Sequence, residues 1–249
     1  MLDRQYLYFP GRWEDRNWRD FSGLPLEDVW FWTKDGVRLF GWYLPAPSSE
    51  VLLLWCHGNA GNIADRLENL ELLYRHGLST FIFDYRGYGR SAGAPSEEGL
   101  YEDALAAYDH LVTNKKTLPE RIVAFGRSLG APVAGELARK RQVAGLILET
   151  PFPSVAAVAR RLFYGFPVHQ LLRARFDLAS RLKEIHTPVL VVHGDRDTTI
   201  PFALGWAVYE AANEPKEFYR IPGADHNDTY VVGGESYFQR LLEFIRRVT

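Results

Sequence analysis

The sequence has very little cysteine: Cys56 is the only one among 249 residues. A single cysteine excludes an internal disulfide framework and any metal site built from several cysteines. Cys56 also ends the apolar run at 51–55, which is typical of a buried structural thiol rather than a reactive one. This cysteine usage fits a reducing compartment, and we expect a cytoplasmic protein.

Long apolar runs and an excess of charge of one sign are also absent. No apolar run reaches the ~18–20 residues that span a bilayer, and residues 1–10 lack the apolar segment of a signal peptide. With 29 basic and 31 acidic residues the formal net charge is −2, so no global field attracts nucleic acid. We therefore expect a water-soluble chain with a small-molecule substrate rather than a nucleic-acid partner, and the oligomeric state stays open.

What the chain does have is enough apolar material for a large core, with 47% hydrophobic and 14% aromatic residues. Short apolar runs alternate with helical stripes of apolar residues along most of its length. Such alternation predicts an α/β fold, a mostly parallel sheet with helices on both faces. The eight predicted strands are 29–33, 38–44, 51–56, 80–84, 122–125, 145–149, 188–192 and 216–221.

We predict a single domain over residues 1–249. Its first two strands form a hairpin, because Asp35-Gly36 between them is a strong turn signal. Residues 1–27, which carry several Pro and Gly breakers, are expected to be an irregular lead-in. Residues 154–186 show helical patterns without a strand, so we expect a small helical cap above the sheet.

The predicted cap is basic and aromatic. A basic segment favours an acidic substrate or peripheral contact with an anionic membrane surface, although solvated faces of short helices are the simpler interpretation. Its aromatic residues suggest an apolar acyl pocket, with core packing as the alternative. The basic residues are Arg160, Arg161, Arg173, Arg175, Arg181 and Lys183. The aromatic residues of the suggested pocket are Phe152, just before the cap, and Phe163, Tyr164 and Phe166 within it.

One stretch combines a buried strand, a tight turn and a helix around a single serine. The apolar residues 122–125 run into Gly126-Arg-Ser-Leu-Gly130, the pattern G-x-S-x-G, and a helix-like segment follows at 131–140. In this context the pattern is typical of a nucleophile elbow, whose strained turn exposes the serine hydroxyl. We therefore predict Ser128 as a nucleophile, with a helix cap as the alternative role.

A serine attacks a carbonyl only when a base takes its proton, and that base is usually a histidine oriented by a carboxylate. The loop after the seventh predicted strand carries Asp195 and Asp197, and the loop after the eighth carries His226. Because parallel strands present their carboxyl ends at one edge of the sheet, both loops are expected near Ser128. We predict His226 as the base, while spacing alone leaves both aspartates open as the acid.

The other histidines have simpler interpretations. His57 and His193 each end a strand directly before a glycine, and we interpret them as structural residues. Four more are predicted on helices or at helix ends as surface residues: His76, His110, His169 and His186.

Hydrolysis through a tetrahedral intermediate also needs backbone N–H donors for the oxyanion. One is expected from Leu129, the residue after the nucleophile. The second is expected from the loop after the first central parallel strand, where we name Asn59 first and Ala60 second. A tight turn leading to a helix cap is compatible with that role.

Five motifs in this order resemble the α/β-hydrolases over residues 28–248, and together they are similar to the ABHD/Bem-like branch, which includes esterases and thioesterases. The motifs are His57-Gly-Asn-Ala-Gly-Asn62, Asp84-Tyr-Arg-Gly-Tyr-Gly-Arg-Ser91, Gly126-Arg-Ser-Leu-Gly130, His193-Gly-Asp-Arg-Asp197 and Gly223-Ala-Asp-His226. The branch's Gly-x-x-Asp pattern implies Asp197 as the acid and leaves Asp195 as a loop residue. Relatives often carry a membrane anchor before a segment like 6–10. It is missing here, so we expect either a naturally soluble chain or a trimmed form.

Three other functions fit the sequence less well. The segment 87–92 matches G-x-G-x-x-A, but a dinucleotide fold needs this pattern on its first βα turn. A metal site from the acidic and histidine residues of the late loops lacks a recognised ligand spacing and leaves Ser128 unexplained. A non-catalytic binding module would be expected to lack part of the triad.

The sequence therefore predicts a serine hydrolase that cleaves carboxylic esters or thioesters through an acyl-enzyme, with no cofactor. Amide hydrolysis with the same triad is the closest alternative.

Overall fold

A computed structural model of the chain describes residues 7–11, 13–14, 18–47, 49–162 and 173–249, with only the backbone at 19 and 162. The strands are β1 (Phe9–Pro10), β2 (Glu27–Trp32), β3 (Arg38–Leu44), β4 (Leu52–Cys56), β5 (Ala60–Gly61), β6 (Ser79–Asp84), β7 (Ile122–Arg127), β8 (Gly145–Glu149), β9 (Val189–Gly194) and β10 (Lys216–Ile221). The helices are α1 (Trp18–Ser22), α2 (Leu67–Arg75), α3 (Glu97–Thr113), α4 (Gly130–Lys140), α5 (Val155–Leu162), α6 (Leu178–Leu182), α7 (Phe202–Ala211) and α8 (Thr229–Val248).

Eight of these strands form one sheet in the order β10-β9-β8-β7-β4-β6-β3-β2. The pairs β2–β3 and β3–β6 are antiparallel, and every other neighbour in this sheet is parallel. The sheet thus has the predicted number of strands and the predicted opening hairpin. Its parallel part directs the carboxyl ends of β7, β8, β9 and β10 to one edge, where ligand sites of open α/β sheets lie.

Helices cover both faces of the sheet. Successive residues of each central strand point to opposite sides, so each strand contributes side chains to two cores. In β4, for example, Leu52, Leu54 and Cys56 join the core beneath α3 and α4. Leu53 and Trp55 join the other core, which lies beneath α2 and α8. The central strands are therefore buried on both faces, which is why their sequences are continuous apolar runs.

The lead-in is not irregular throughout. Phe9 and Pro10 pair in parallel with Ala60 and Gly61, and a short helix spans Trp18–Ser22. The Pro and Gly breakers predict loops, but a proline is compatible with a two-residue edge strand. The consequence is that β1 lies against the segment that follows β4.

Residues 154–186 are predicted to form a cap, and the structure describes 154–162 and 173–186 of them. Helix α6 packs between α4 and α7, where Leu178 and Leu182 are fully buried at i, i+4 spacing. Asp177 caps this helix by accepting the Ser180 N–H at 3.2 Å. The predicted patch around Leu171 and Leu172 lies outside the described residues, as do Phe163, Tyr164, Phe166 and His169.

Helix α7 was not predicted from the sequence. Its apolar residues surround the helix instead of forming one stripe, so no helical periodicity stands out in Phe202–Ala211. Within the described ranges, no helix combines the length and apolar character needed to cross a membrane.

Candidate active site

Ser128 lies in a sharp turn between β7 and α4. Its φ is +52°, in the left-handed region that non-glycine residues rarely adopt. Two glycines make the turn sterically feasible: a Cβ at Gly126 would lie 2.4 Å from the Gly130 carbonyl oxygen, and one at Gly130 would lie 1.9 Å from the Cys56 carbonyl oxygen. The serine is not the cap of α4, because its hydroxyl has a different partner.

That partner is His226, which the loop after β10 carries to the same edge of the sheet. The distance from His226 Nε2 to Ser128 Oγ is 3.0 Å, and the distance from His226 Nδ1 to Asp197 Oδ2 is 2.8 Å. A carboxylate only accepts hydrogen bonds, so Nδ1 carries the proton and Nε2 is free to accept the serine proton. The structure therefore brings the three predicted residues into one hydrogen-bonded chain.

The Asp197 carboxylate is held by donors on both of its oxygens. Oδ1 accepts the backbone N–H groups of Thr199 at 2.9 Å and Ile200 at 2.7 Å. Burial opposes ionisation of Asp197, but hydrogen bonds from His193 and His226 outweigh it and hold its pKa below the ordinary range. An ionised carboxylate beside His226 stabilises the imidazolium that forms when the base takes a proton.

Asp195, the alternative acid from spacing alone, has a different role. Its Oδ2 pairs with Arg220 at 2.6 Å and its Oδ1 accepts the Gly223 N–H at 2.7 Å. These bonds connect the loop after β9 to the end of β10. The structure thus places Asp197, not Asp195, beside His226.

The segment after β4 lies next to the serine. A Cβ at Gly58 would be 3.6 Å from Ser128 Cβ. The Asn59 side chain accepts a hydrogen bond from the Tyr88 hydroxyl at 3.0 Å. Among the described residues, the backbone N–H groups of Asn59 and Leu129 have no acceptor, as an oxyanion site requires of its donors.

Buried polar residues form hydrogen bonds with the backbone of the segment after β4. His57 is fully buried, and burial together with the charge of Arg66 lowers its pKa to about 3. Its Nδ1 lies 2.7 Å from the Gly58 carbonyl oxygen, and the Tyr85 hydroxyl donates to the His57 carbonyl oxygen at 2.9 Å. His57 is therefore a neutral structural residue, in line with its interpretation from the sequence.

Arg127, the residue directly before Ser128, forms a hydrogen bond with the loop that carries His226. Its Nη2 donates to the His226 carbonyl oxygen at 3.0 Å, and its Nε lies 3.8 Å from Glu149 Oε2. Glu149 also accepts a hydrogen bond from the Thr229 hydroxyl. All of these side chains are buried, so the Ser128 turn, the end of β8 and the His226 loop share one polar network.

Sequence reasoning missed three residues that organise the site: Arg127, His193 and Asp225. Asp225 accepts the Thr198 N–H at 2.7 Å and the His226 N–H at 2.7 Å, which ties the loops of the predicted acid and base together. Each of the three sits one residue from a motif position or inside a motif, but only the fold shows what it contacts. His193 in particular lies 3.2 Å from Asp197 Oδ2 rather than serving only as a strand end.

Comparisons with known proteins agree with this architecture. Residues 47–165 match the serine aminopeptidase (S33) family. An uncharacterized protein of Mycobacterium tuberculosis is 40% identical over 245 residues, which cover 97% of this chain and 86% of that protein. The α/β-hydrolase domain-containing protein WAV2 of Arabidopsis thaliana is 34% identical over 246 residues, which cover 90% of this chain and 80% of that protein.

Solved structures show the same fold. An esterase of Pyrococcus furiosus superposes with a TM-score of 0.79 at 24% identity, over 97% of this chain and 98% of that one. At this identity the likeness concerns the fold alone. Taken with the relatives above, it shows that the chain belongs to the α/β-hydrolase superfamily.

Proposed function

We propose that the protein is a serine hydrolase that cleaves carboxylic esters or thioesters through an acyl-enzyme. The observation that carries the proposal is the hydrogen-bonded chain from Ser128 through His226 to Asp197 on a strained turn. A helix cap or a solvated loop histidine would not require this alignment. A hydrolase is the established class, and the ester or thioester preference is the proposed refinement.

The proposed reaction uses the chain's own side chains and a water molecule. Ser128 Oγ bonds to the acyl carbon while its proton moves to His226 Nε2. The imidazolium then gives that proton to the leaving alcohol or thiol, and the acyl–oxygen or acyl–sulfur bond breaks. Water repeats the sequence on the acyl-enzyme, with the same nitrogen as base, and the acid and free Ser128 are released.

The oxyanion of each tetrahedral intermediate is assigned to the backbone N–H groups of Leu129 and Asn59. Removing one such donor in other serine hydrolases costs on the order of 10²–10³ in kcat. In this chain the two segments approach closely at Gly130, where a Cβ would lie 1.9 Å from the Cys56 carbonyl oxygen and would push them apart. Ala60 is the second choice for the donor after β4.

An aminopeptidase is the second candidate, because residues 47–165 match a family of that description. Such an enzyme must bind the free amino terminus of its substrate, for which a carboxylate is the natural partner. Two buried carboxylates at this edge of the sheet, Glu149 and Asp197, already accept hydrogen bonds from Thr229, His193 and His226. We therefore rank esters and thioesters above aminoacyl substrates.

The test compares wild type with Ser128→Ala, using a fluorophosphonate probe and p-nitrophenyl esters of increasing acyl length. We expect labelling and ester turnover in the wild type, resistance of both to EDTA, and loss of both in Ser128→Ala. Acyl-thioester and aminoacyl p-nitroanilide substrates in the same assay separate the two candidates. A folded wild type that neither labels nor turns over any of these substrates would refute the enzyme proposal and favour a binding module.

The cytoplasmic location and the peripheral membrane contact stay predictions. Cell fractionation tests the first. Sedimentation with anionic and neutral vesicles tests the second, and binding to neither kind of vesicle would contradict it.

A further inference from the structure

A second buried histidine contacts the same carboxylate as His226. His193 is the fifth residue of β9, and its side chain is fully buried. Its Nε2 lies 2.8 Å from the Ile200 carbonyl oxygen and 3.2 Å from Asp197 Oδ2. Both neighbours are acceptors only, so Nε2 carries the proton and His193 is the donor to each of them.

This contact completes the set of donors around Asp197. Oδ2 is shared by the imidazoles of His226 and His193, while Oδ1 accepts two backbone N–H groups. Ile200 takes part twice, because its N–H donates to Asp197 Oδ1 and its carbonyl accepts from His193. The three residues form a closed ring of hydrogen bonds, which leaves the carboxylate little freedom to rotate.

The imidazole of His193 is itself held in one position. A Cβ at Gly205 would lie 2.0 Å from its Nδ1, so α7 packs directly on the ring because residue 205 has no side chain. The ring of Phe202 meets it edge-on, with centroids 5.9 Å apart. Nδ1 has no hydrogen-bond partner among the described residues, and a flipped ring would point a C–H group at both acceptors.

We propose that His193 is a positioning residue that holds the Asp197 carboxylate with Oδ2 directed at His226 Nδ1. This inference rests on the proposed hydrolase function and adds a fourth side chain to its hydrogen-bonded chain. His193 does not touch the substrate, because it is enclosed by β9, the Asp197 loop and α7. Its effect therefore falls on the chemical steps rather than on substrate binding.

The variants His193→Gln and His193→Phe separate positioning from packing. Glutamine places an N–H donor where His193 Nε2 lies, whereas phenylalanine fills the space without any donor. We expect His193→Phe to lower kcat for a p-nitrophenyl ester by about tenfold or more with KM within about twofold, and His193→Gln to retain most of the activity. His110→Phe is the matched control, because His110 packs against Phe31 and Phe81 on the face of the sheet beneath α3.

A second measurement does not depend on turnover. In ¹⁵N-histidine-labelled wild type, NMR should show His193 as the Nε2–H tautomer. His193→Phe should shift the downfield Nδ1–H resonance of His226, whereas His193→Gln, which keeps the donor, should leave it close to its wild-type position. A His193 protonated on Nδ1 would overturn the proposal even if His193→Phe does not fold, and an unchanged His226 resonance in folded His193→Phe would overturn it as well.

The outcomes also distinguish the two proposals. A wild type without hydrolytic activity refutes the hydrolase, and the NMR experiment still decides whether His193 holds Asp197. An active wild type with full activity in folded His193→Phe refutes the positioning role alone. Equal losses in both variants, with similar melting temperatures, would mean that the donor is irrelevant and would also refute it.

Discussion

At residue 130 the backbone of α4 begins in direct contact with the end of β4. The Cβ of an alanine there would lie 1.9 Å from the Cys56 carbonyl oxygen and 2.7 Å from the His57 carbonyl oxygen. Both contacts are backbone atoms, one in the last residue of β4 and one in the residue directly after it, so neither can move without disturbing the end of a central strand. The Ser128 turn thus depends on the missing side chain at residue 130 as much as on the serine.

We expect Gly130→Ala to reduce stability by several kcal/mol or to prevent folding, on the order of the larger overpacking costs. Gly135→Ala is the matched control in the same helix, because its Cβ would meet only the flexible end of the Leu178 side chain at 2.5 Å. Urea unfolding of both variants measures the difference. Equal midpoints would contradict the steric argument.

The two aspartates of the loop after β9 allow a paired test. Asp197→Asn is expected to lower kcat by about 10³–10⁴-fold, because an amide N–H facing His226 Nδ1 selects the wrong tautomer. Asp195→Asn is expected to keep kcat within a few-fold, since Asp195 bonds to Arg220 and Gly223. Steady-state ester kinetics on both variants check this, and a larger loss in Asp195→Asn would contradict the assignment.

The polar network behind Ser128 connects three elements that are far apart in sequence. Arg127 at the end of β7 holds the His226 carbonyl, and Glu149 at the end of β8 holds Thr229 at the start of α8. Removing one charge from such a buried arrangement leaves the other without compensation. The network therefore fixes where the His226 loop sits relative to the serine.

We expect Arg127→Met to lower the free energy of unfolding by about 3–5 kcal/mol and to reduce kcat in the variant that still folds. Arg141→Met, which removes a surface pair with Asp109, should cost about 1 kcal/mol or less. Chemical denaturation with parallel ester assays measures both. The double variant Arg127→Met/Glu149→Gln should recover part of the lost stability, and no recovery would contradict the coupling.

Periodicity predicted the strands well because each central strand is buried on both faces and its apolar run is unbroken. It failed where burial does not produce a stripe, as in α7, and where a two-residue strand pairs outside the main sheet, as in β1. Helix α6 carries two buried leucines over five residues, which is too short for a periodic signal to show whether it caps the site or joins the helical layer.

The contacts between side chains could likewise be predicted only in part from the sequence. Ser128 and His226 were predicted because their motifs combine a strand end with a reactive residue type. The choice between Asp195 and Asp197 needed the resemblance to a family, since both lie in one loop and only the geometry of that loop decides. His193 was interpreted as structural because nothing in a sequence shows that its ring faces the carboxylate four residues later.

At the scale of the whole molecule, the pH dependence of stability reflects buried groups far from the surface. Asp84 ends β6 and is fully buried, and its Oδ1 accepts the Ile63 N–H at 3.0 Å. Burial raises its pKa to about 7, although that hydrogen bond acts in the opposite direction. In the unfolded chain the same carboxyl titrates near its ordinary value of 3.8.

The difference between the folded and unfolded pKa of Asp84 determines whether stability rises or falls with pH. Between about pH 4 and pH 7 the folded protein keeps a proton on Asp84 that the unfolded chain has already released. The stability from this group is therefore complete below pH 4 and is lost as pH rises towards 7. We expect wild type to lose up to about 1.4 kcal/mol per pH unit relative to Asp84→Asn over this interval, because asparagine does not titrate.

Asp35→Asn is the control with the opposite shift. Hydrogen bonds from Arg86 hold the pKa of Asp35 below its ordinary range, so its contribution is already complete above pH 5 and is lost only in more acidic solution. Urea unfolding at pH 5, 6, 7 and 8 should give a sloping difference for Asp84→Asn and a flat one for Asp35→Asn. If both stability differences are flat, Asp84 is ionised in the folded protein at pH 5. That result would contradict a carboxyl that burial keeps neutral.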